Sequence, residues 1–480
     1  MDINILKNLV FILKKYLSTY LMSSENLTMD IDTPGLIKDL QKLIKIPSVS
    51  ARKQNLEECA KEIVQMMKEI GINSELIYLD NDDKKKSIPP LVYGEVKSKS
   101  NPNGKTVLFY NHYDVQPEEP IDLWKYDPFE GKVDGNLIYG RGASDDKGEL
   151  ITRLKAVEYF IKNYGDVPSN IKFVVEGEEE IGSNNISKYL EAYNSKFNTD
   201  LVIWEFGYVD QEQKPIISLG MKGLLYVELT AQGASRDVHS SLAVLIENPA
   251  WRIVQALSTL MDRRGRILIK DWYKEIKELS DEENAVVESE PFDEKSFKKE
   301  YGINRFINDL KGKSVKKALI CEPTCNISGL NSGYSGQGAK TITPSKAMVK
   351  IDFRLVPNMD PLVQFKRLEN HLKDNGFEDI KVTKIHGEAA GRTELSNQYV
   401  KVIQKSANEV FGDSIISISS AGTGPMYDFI EILKAPCISI GGTYVFSKIH
   451  SPNEFARIDL LEKTTKCMIR IIENLAKSVL

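Results

Sequence analysis

Asn111-His112-Tyr113-Asp114 closes an apolar run over 106–110 and sets an imidazole and a carboxylate two residues apart. On a strand that spacing puts both side chains on one face. A carboxylate so placed can orient a metal-binding imidazole. Histidine is scarce here, five in 480 residues, so a histidine at a strand end stands out. Three further segments end apolar runs with candidate ligands, and a fifth candidate lies beyond them. Gly140–Gly148 is a glycine-rich loop carrying Asp145 and Asp146 into a helix. Glu178-Glu179-Glu180 follows the run Ile171–Glu176. Glu205 follows Leu201–Trp204. His450 lies in the segment Ile449–Glu454. Two histidines with three or four carboxylates suit a pair of divalent transition metals, zinc, manganese or cobalt, better than calcium or magnesium. Two such ions ~3.5–4 Å apart share a water and lower its pKa. One carboxylate left unligated is then available as general base. The acidic run at 178–180 can supply a ligand and a base side by side. Each segment alone has a plainer reading. A run of glutamates is usually a solvated turn, and Asp-Asp in a glycine-rich loop is usually turn chemistry. The Gly140–Gly148 loop also lacks the spacing of a phosphate cradle. Their coincidence carries the metal reading. Of the remaining histidines, His371 reads as a surface residue in mid-helix, while His386 follows a strand and is open to either role.

The elements that must position these residues alternate. Helices are expected over Pro34–Lys45, capped by Thr33, and over Asn55–Ile70, Glu149–Tyr164, Ser187–Phe197, Gln398–Phe411 and Leu460–Lys477. Strands are expected over Ser74–Leu79, Leu91–Val96, Thr106–Asn111, Ile171–Glu176, Leu201–Glu205 and Cys437–Ile440. This rhythm predicts an α/β domain with a mixed, mostly parallel sheet flanked by helices. Strand ends sharing one edge of such a sheet converge on its ligand crevice. Near Gly223 the character changes. Leu225–Thr230 and Ala347–Leu355 alternate like half-exposed antiparallel strands, with helices at Asn248–Met261 and Pro361–Asn375. Residues 270–312 are dense in charge and read as an excursion. The expected organisation is an N-terminal extension over 1–28, an α/β domain from 29–221 and 386–480, and an inserted α+β domain over 222–385.

Composition narrows the class. A net charge of -5 argues against a nucleic-acid binder. The five cysteines are scattered without a Cys-x-x-Cys pair, as for free thiols in a reducing cytoplasm. The amphipathic stretch within 1–28 is too short and too charged to span a membrane, and no signal-peptide cleavage pattern follows it. A cytoplasmic protein without a membrane partner is expected.

Three motifs, Asn-His112-Tyr-Asp114-Val-Gln-Pro, Tyr-Gly-Arg-Gly-Ala-Ser-Asp145-Asp146-Lys-Gly and Glu179-Glu180-Ile-Gly-Ser, resemble the metallopeptidase family of carnosine dipeptidases. That family also holds aminoacylases, glutamate carboxypeptidases and succinyl-diaminopimelate desuccinylases. The resemblance covers roughly residues 30–480 and lies nearest the cytosolic dipeptidase branch. It implies a zinc-dependent di-metal exopeptidase acting on dipeptides or on the C-terminal residue of short peptides, with N-acyl-amino-acid deacylation or desuccinylation as the alternative. It implies that His112, Asp145 and Glu205 hold one metal, that Asp145 bridges, and that Glu180 and His450 hold the other. Glu179 would be the general base and Asp114 the residue orienting His112. The Asp145–Asp146 peptide is often cis in this family. The inserted block resembles the family's lid and dimerisation domain, and Asp237-Val-His239-Ser240 matches a segment whose histidine reaches the partner subunit's site. Arg354, in Phe353-Arg354-Leu-Val-Pro357, would bind the substrate carboxylate. Gly422 and Thr423, in Ala421-Gly422-Thr423-Gly424-Pro, would serve the same group. One position departs: dipeptidases of this family usually carry Asp where this chain has Glu205, whereas carboxypeptidases and deacylases carry Glu.

Overall fold

Eight strands form the central sheet, in the order Asn73–Ile77, Leu91–Val96, Asn170–Glu176, Thr106–His112, Leu201–Trp204, Cys437–Ser439, Ile216–Ser218, Ile415–Ser417. The four in the middle run parallel, and antiparallel neighbours flank them on both sides. The computed structural model describes residues 29–79 and 88–478; the extension expected over 1–28 lies outside them.

The parallel strands are apolar on both faces, and their period of two divides the core. Val107, Phe109, Ile171, Phe173, Leu201 and Ile203 face one layer, built with the helices Thr33–Ile44, Leu56–Glu69, Lys147–Tyr164, Gln398–Phe411 and Ile458–Lys477. Leu108, Tyr110, Val174, Val202 and Trp204 face the other, with the helices Ile186–Ala192 and Met426–Leu433. Such double coverage is what continuous Val/Ile/Leu runs require.

Two helix expectations shift. Asp32, not Thr33, caps the first helix, because its carboxylate accepts the Gly35 N–H at 2.9 Å. The helix expected over Ser187–Phe197 is broken at Tyr193, whose hydroxyl donates to the Tyr78 carbonyl at 3.1 Å, and continues as Asn194–Phe197.

Between Gly223 and Glu388 runs a second, four-stranded antiparallel sheet, ordered Asn326–Ser332, Lys346–Leu355, Gly223–Gln232, Lys381–Glu388. The expected alternation appears as one buried face. Leu225, Val227, Leu229, Val349, Ile351 and Phe353 pack beneath the helices Pro249–Leu260 and Pro361–Asp374. The charge-dense excursion contains the helices Asp281–Ser289 and Glu294–Glu300 and leads into Lys313–Cys321. Its Val287 and the following Ile320 pack on Ile418 of the other segment. His371, read as a surface residue, is half-buried with Nε2 3.0 Å from the Thr259 hydroxyl on the neighbouring helix.

Among the described residues no helix is long and apolar enough to cross a membrane. All five cysteines are free thiols.

Candidate metal centre

His112 ends its strand directly beside Glu176 in the neighbouring parallel strand, so the Glu178–Glu180 turn emerges over it. Glu205 follows the adjacent strand end on the other side. Asp145 enters from the loop before the helix Lys147–Tyr164, and His450 from the loop before Phe455–Arg457. The convergence expected at a sheet edge is therefore present.

Asp145 is the centre of this geometry. Its Oδ1 lies 3.0 Å from His112 Nε2 and its Oδ2 3.2 Å from His450 Nε2. His450 Nε2 is also 3.0 Å from Glu180 Oε2, and His112 Nε2 is 3.9 Å from Glu205 Oε2. His112, Asp145 and Glu180 each offer a ligand atom within 4.8 Å of the others. One carboxylate thus faces two imidazoles with its two oxygens. The Asp145–Asp146 peptide is cis.

Asp114 ties this cluster together. Its carboxylate oxygens accept the backbone N–H groups of Glu179 and Glu180 at 3.2 and 3.0 Å. His112 Nδ1 lies 3.0 Å from the Asp114 carbonyl and 3.4 Å from its carboxylate. The orienting partner is therefore the backbone oxygen first and the carboxylate second, and either fixes Nε2 as the free nitrogen.

The charges explain what such a cluster would hold. Burial pushes Glu179 and Glu205 well above the usual carboxylate range, and neighbouring carboxylates add to it. Burial also raises Glu180, with Asp145 reinforcing it and His450 opposing. At Asp145 burial acts in the same direction, but hydrogen bonds from His112 and His450 outweigh it and hold the carboxyl low. Asp145 and Glu180 draw His450 up to about 10. This buried surplus of anions favours positive charge at its centre. Glu205 Oε2 is buried without a hydrogen-bond partner. Two imidazoles, four carboxylates and an orphaned carboxylate oxygen fit a pair of divalent transition metals.

Several supporting residues escaped the sequence reading. Arg153, fully buried, donates from Nη1 to the Tyr110 carbonyl and Asn111 Oδ1 at 2.5 and 2.7 Å. From Nη2 it donates to the carbonyls of Trp204 and Glu205, both at 2.5 Å. It clamps the two strand ends that carry His112 and Glu205. Its signal was a cation within the apolar stripe of Leu150, Leu154 and Val157. Glu454, also buried, accepts the N–H groups of Gly142, Ser144 and Asp145 and pairs with Arg141 at 2.8 Å. Gln116 donates its side-chain amide to Glu180 Oε2 at 2.9 Å.

Beside the cluster lies a cavity of about 420 Å³ whose lining includes Asp145, Glu179, Glu205, His450, Gly422 and Thr423. Arg354 Nη1 donates to Thr423 Oγ1 at 2.6 Å, bringing two expected substrate-binding residues together. The Gly422 N–H is committed to Ser420 Oγ at 3.1 Å. His239 is exposed, with Nδ1 2.8 Å from the Ser241 hydroxyl, and is not among the residues lining the cavity of its own chain. His386 sits at the junction, where a Cβ added to Gly182 would lie 3.3 Å from its ring.

Known proteins resemble this chain. The model of "Peptidase family M20/M25/M40" matches residues 108–474. A Cys-Gly metallodipeptidase of Candida albicans is 32% identical over 74% of this chain and 76% of its own length. A Cys-Gly metallodipeptidase of Schizosaccharomyces pombe is 28% identical over 91% and 94%. Among solved structures, an M20 family metallo-carboxypeptidase from Sulfolobus solfataricus superposes with a TM-score of 0.86 at 36% identity, covering 92% of this chain and 99% of that one.

Proposed function

The chain belongs to peptidase family M20/M25/M40 and is a metal-dependent exopeptidase; we propose that it hydrolyses dipeptides or removes the C-terminal residue of short peptides. The observation that carries this is the carboxylate of Asp145 facing His112 with one oxygen and His450 with the other. We assign His112, Asp145 and Glu205 to one metal, and Asp145, Glu180 and His450 to the second. Zinc is the proposed ion, with manganese or cobalt as substitutes. When bound, such a pair acidifies a water and polarises the scissile carbonyl.

The chain's own groups do the rest. Glu179, which lines the cavity beside Asp145, takes the proton of the attacking water and delivers it to the leaving amine. Asp114 fixes the tautomer of His112 and the backbone of Glu179 and Glu180. Arg354, which is not among the cavity's lining residues but donates to Thr423 on its wall, binds the substrate carboxylate in a charge-assisted pair, with Thr423 and Gly422 lining the cavity.

We further assign residues 29–221 and 386–480 to the catalytic domain and 222–385 to a lid through which two copies associate. His239 would then enter the partner's site and stabilise the developing oxyanion. A cytoplasmic homodimer is the proposed working form.

Steady-state assays of metal-loaded protein on dipeptides, blocked peptides and N-acetyl or N-succinyl amino acids test this reading. Cleavage of dipeptides is expected, and cleavage of acylated amino acids alone would transfer the chain to the deacylases. Glu179→Gln should lower kcat by ~10²–10⁴-fold with metal content unchanged; full turnover in that variant would remove the base assignment.

A further inference from the structure

Part of the cavity wall is built by Glu290 of the charge-dense excursion and by the helix Lys313–Cys321 that follows it. Glu290, Lys316, Leu319 and Ile320 all line it. Lys316 pairs with Glu290 Oε1, and Ser417 donates its hydroxyl to Glu290 Oε2 at 2.9 Å. The Glu290 side chain is 2% exposed and that of Lys316 15%. The pair is held from both sides, by the contact of Val287 and Ile320 with Ile418 and by an ion pair between Glu283 and Arg392 at 3.2 Å.

Resting on the reading of this cavity as the substrate site, we propose that the Glu290–Lys316 pair forms a side-chain subsite selective for neutral polar residues, a carboxamide above all. An ammonium carries three donors and a carboxylate about four acceptor sites. The pair and Ser417 use only part of that capacity, so a donor and an acceptor are both available at one wall. A carboxamide supplies the complement of each: its oxygen accepts from Lys316 while its N–H donates to Glu290. An aliphatic side chain in the same place would cover both charges without replacing their water, which a buried polar group does not tolerate well. A charged side chain of either sign would meet one like charge. Five serines among the lining residues extend the polar character of the wall.

The test compares the metal-loaded wild type with the double variant Glu290→Leu/Lys316→Met. Replacing both partners avoids leaving one buried charge unpaired, and apolar replacement of such a pair is often neutral for folding. The substrates are Gln-Gly, Leu-Gly, Gly-Gln and Gly-Leu. At the position facing this wall, the wild type should favour glutamine over leucine in kcat/KM by about ten-fold. The double variant should abolish that preference, mainly through a higher KM for the glutamine peptides. A wild type that prefers leucine, or a ratio unchanged in the variant, overturns the proposal. If none of the four peptides is cleaved, the peptidase reading fails instead. The subsite is then judged by calorimetric titration with L-glutamine and L-leucine. Glutamine binding weakened about ten-fold in the variant supports it, and equal binding to both proteins overturns it.

Discussion

Arg153→Lys tests whether the metal centre depends on a residue that touches no ligand side chain in it. Arg153 makes four hydrogen bonds at 2.5–2.7 Å from two nitrogens, three of them to backbone carbonyls at two strand ends. Lysine keeps the charge but offers three donors from one shorter point. At least one buried acceptor must go unpaired, and each such loss costs ~1–3 kcal/mol. With the fork geometry also gone, the expected destabilisation is ~2–4 kcal/mol. That is tolerable against a typical ~5–15 kcal/mol of total stability, so the variant should fold. The strand ends carrying His112 and Glu205 are no longer held in register, and metal affinity should fall ~10–100-fold, as for other outer partners of metal ligands. Urea unfolding of the metal-free protein should show a lower midpoint at an unchanged slope. Competition with a chelator should show weaker zinc uptake, and saturating zinc should restore part of kcat. Lowered stability with unaltered metal affinity would reduce Arg153 to core packing. An unaltered midpoint would refute the hydrogen-bond argument itself.

Glu149, buried with Oε1 accepting from the Gly442 N–H and the Thr443 hydroxyl, is raised by burial to about 7. The folded state therefore binds this proton more tightly than the unfolded chain, and the protein loses stability as pH rises from about 4.5 to about 7. The loss amounts to ~3 kcal/mol, and Glu149→Gln should flatten it in unfolding curves taken at pH 5 and pH 8. Arg354→Met should raise KM at least ~10-fold while leaving zinc content unchanged, measured on a dipeptide and on its C-terminal amide; equal effects on both would argue against carboxylate binding. His239→Ala should lower kcat by ~10²-fold or more without loss of metal. If that histidine acts across a dimer, re-associating His239→Ala with Glu179→Gln should recover about a quarter of wild-type activity, since half of random pairs are mixed and each holds one intact site. Recovery of nothing would place His239 outside the partner's site.

What was legible in the sequence follows from the kind of interaction involved. His112 and Glu205 stand at the ends of apolar runs, and strand ends of one α/β sheet converge; the sharing of His112, Asp145, Glu180, Glu205 and His450 between two metals was legible only through the motifs' resemblance to a known family. The alternation from Leu225 and from Ala347 likewise announced a sheet with one wet face. The roles of Arg153 and Glu454 were not legible, because their partners are mostly backbone groups, which carry no residue identity; the cation in an apolar stripe marked Arg153 as unusual but not what it holds. Glu454 reaches Ser144 and Asp145 across about 310 residues of sequence. The strands Ile216–Ser218 and Ile415–Ser417 are three residues long, too short for any period to show. In the excursion, charge density concealed helices, one of which turns Val287 inward to complete a small core with Ile320 of the following helix and Ile418.

The position of Glu205 can now be weighed against the excursion as a source of specificity. Its backbone carbonyl accepts from Arg153 at 2.5 Å and from Asn111 at 3.3 Å, so the residue cannot move as a unit. Its carboxylate is buried, with Oε2 3.9 Å from His112 Nε2. The extra methylene relative to Asp therefore carries the carboxylate toward the histidine, on the proposed metal side. The cavity wall beside the cluster is lined instead by Gly422, Thr423, Glu290 of the excursion, and Lys316, Leu319 and Ile320 of the helix that follows it. A metallo-carboxypeptidase at 36% identity and metallodipeptidases at 28–32% can share one metal centre and still differ in the peptides they accept. The proposed subsite accordingly places this chain's preference in the polarity of that wall rather than in the ligand that departs from the dipeptidase pattern, and the glutamine-to-leucine ratio of the Glu290→Leu/Lys316→Met variant decides between them.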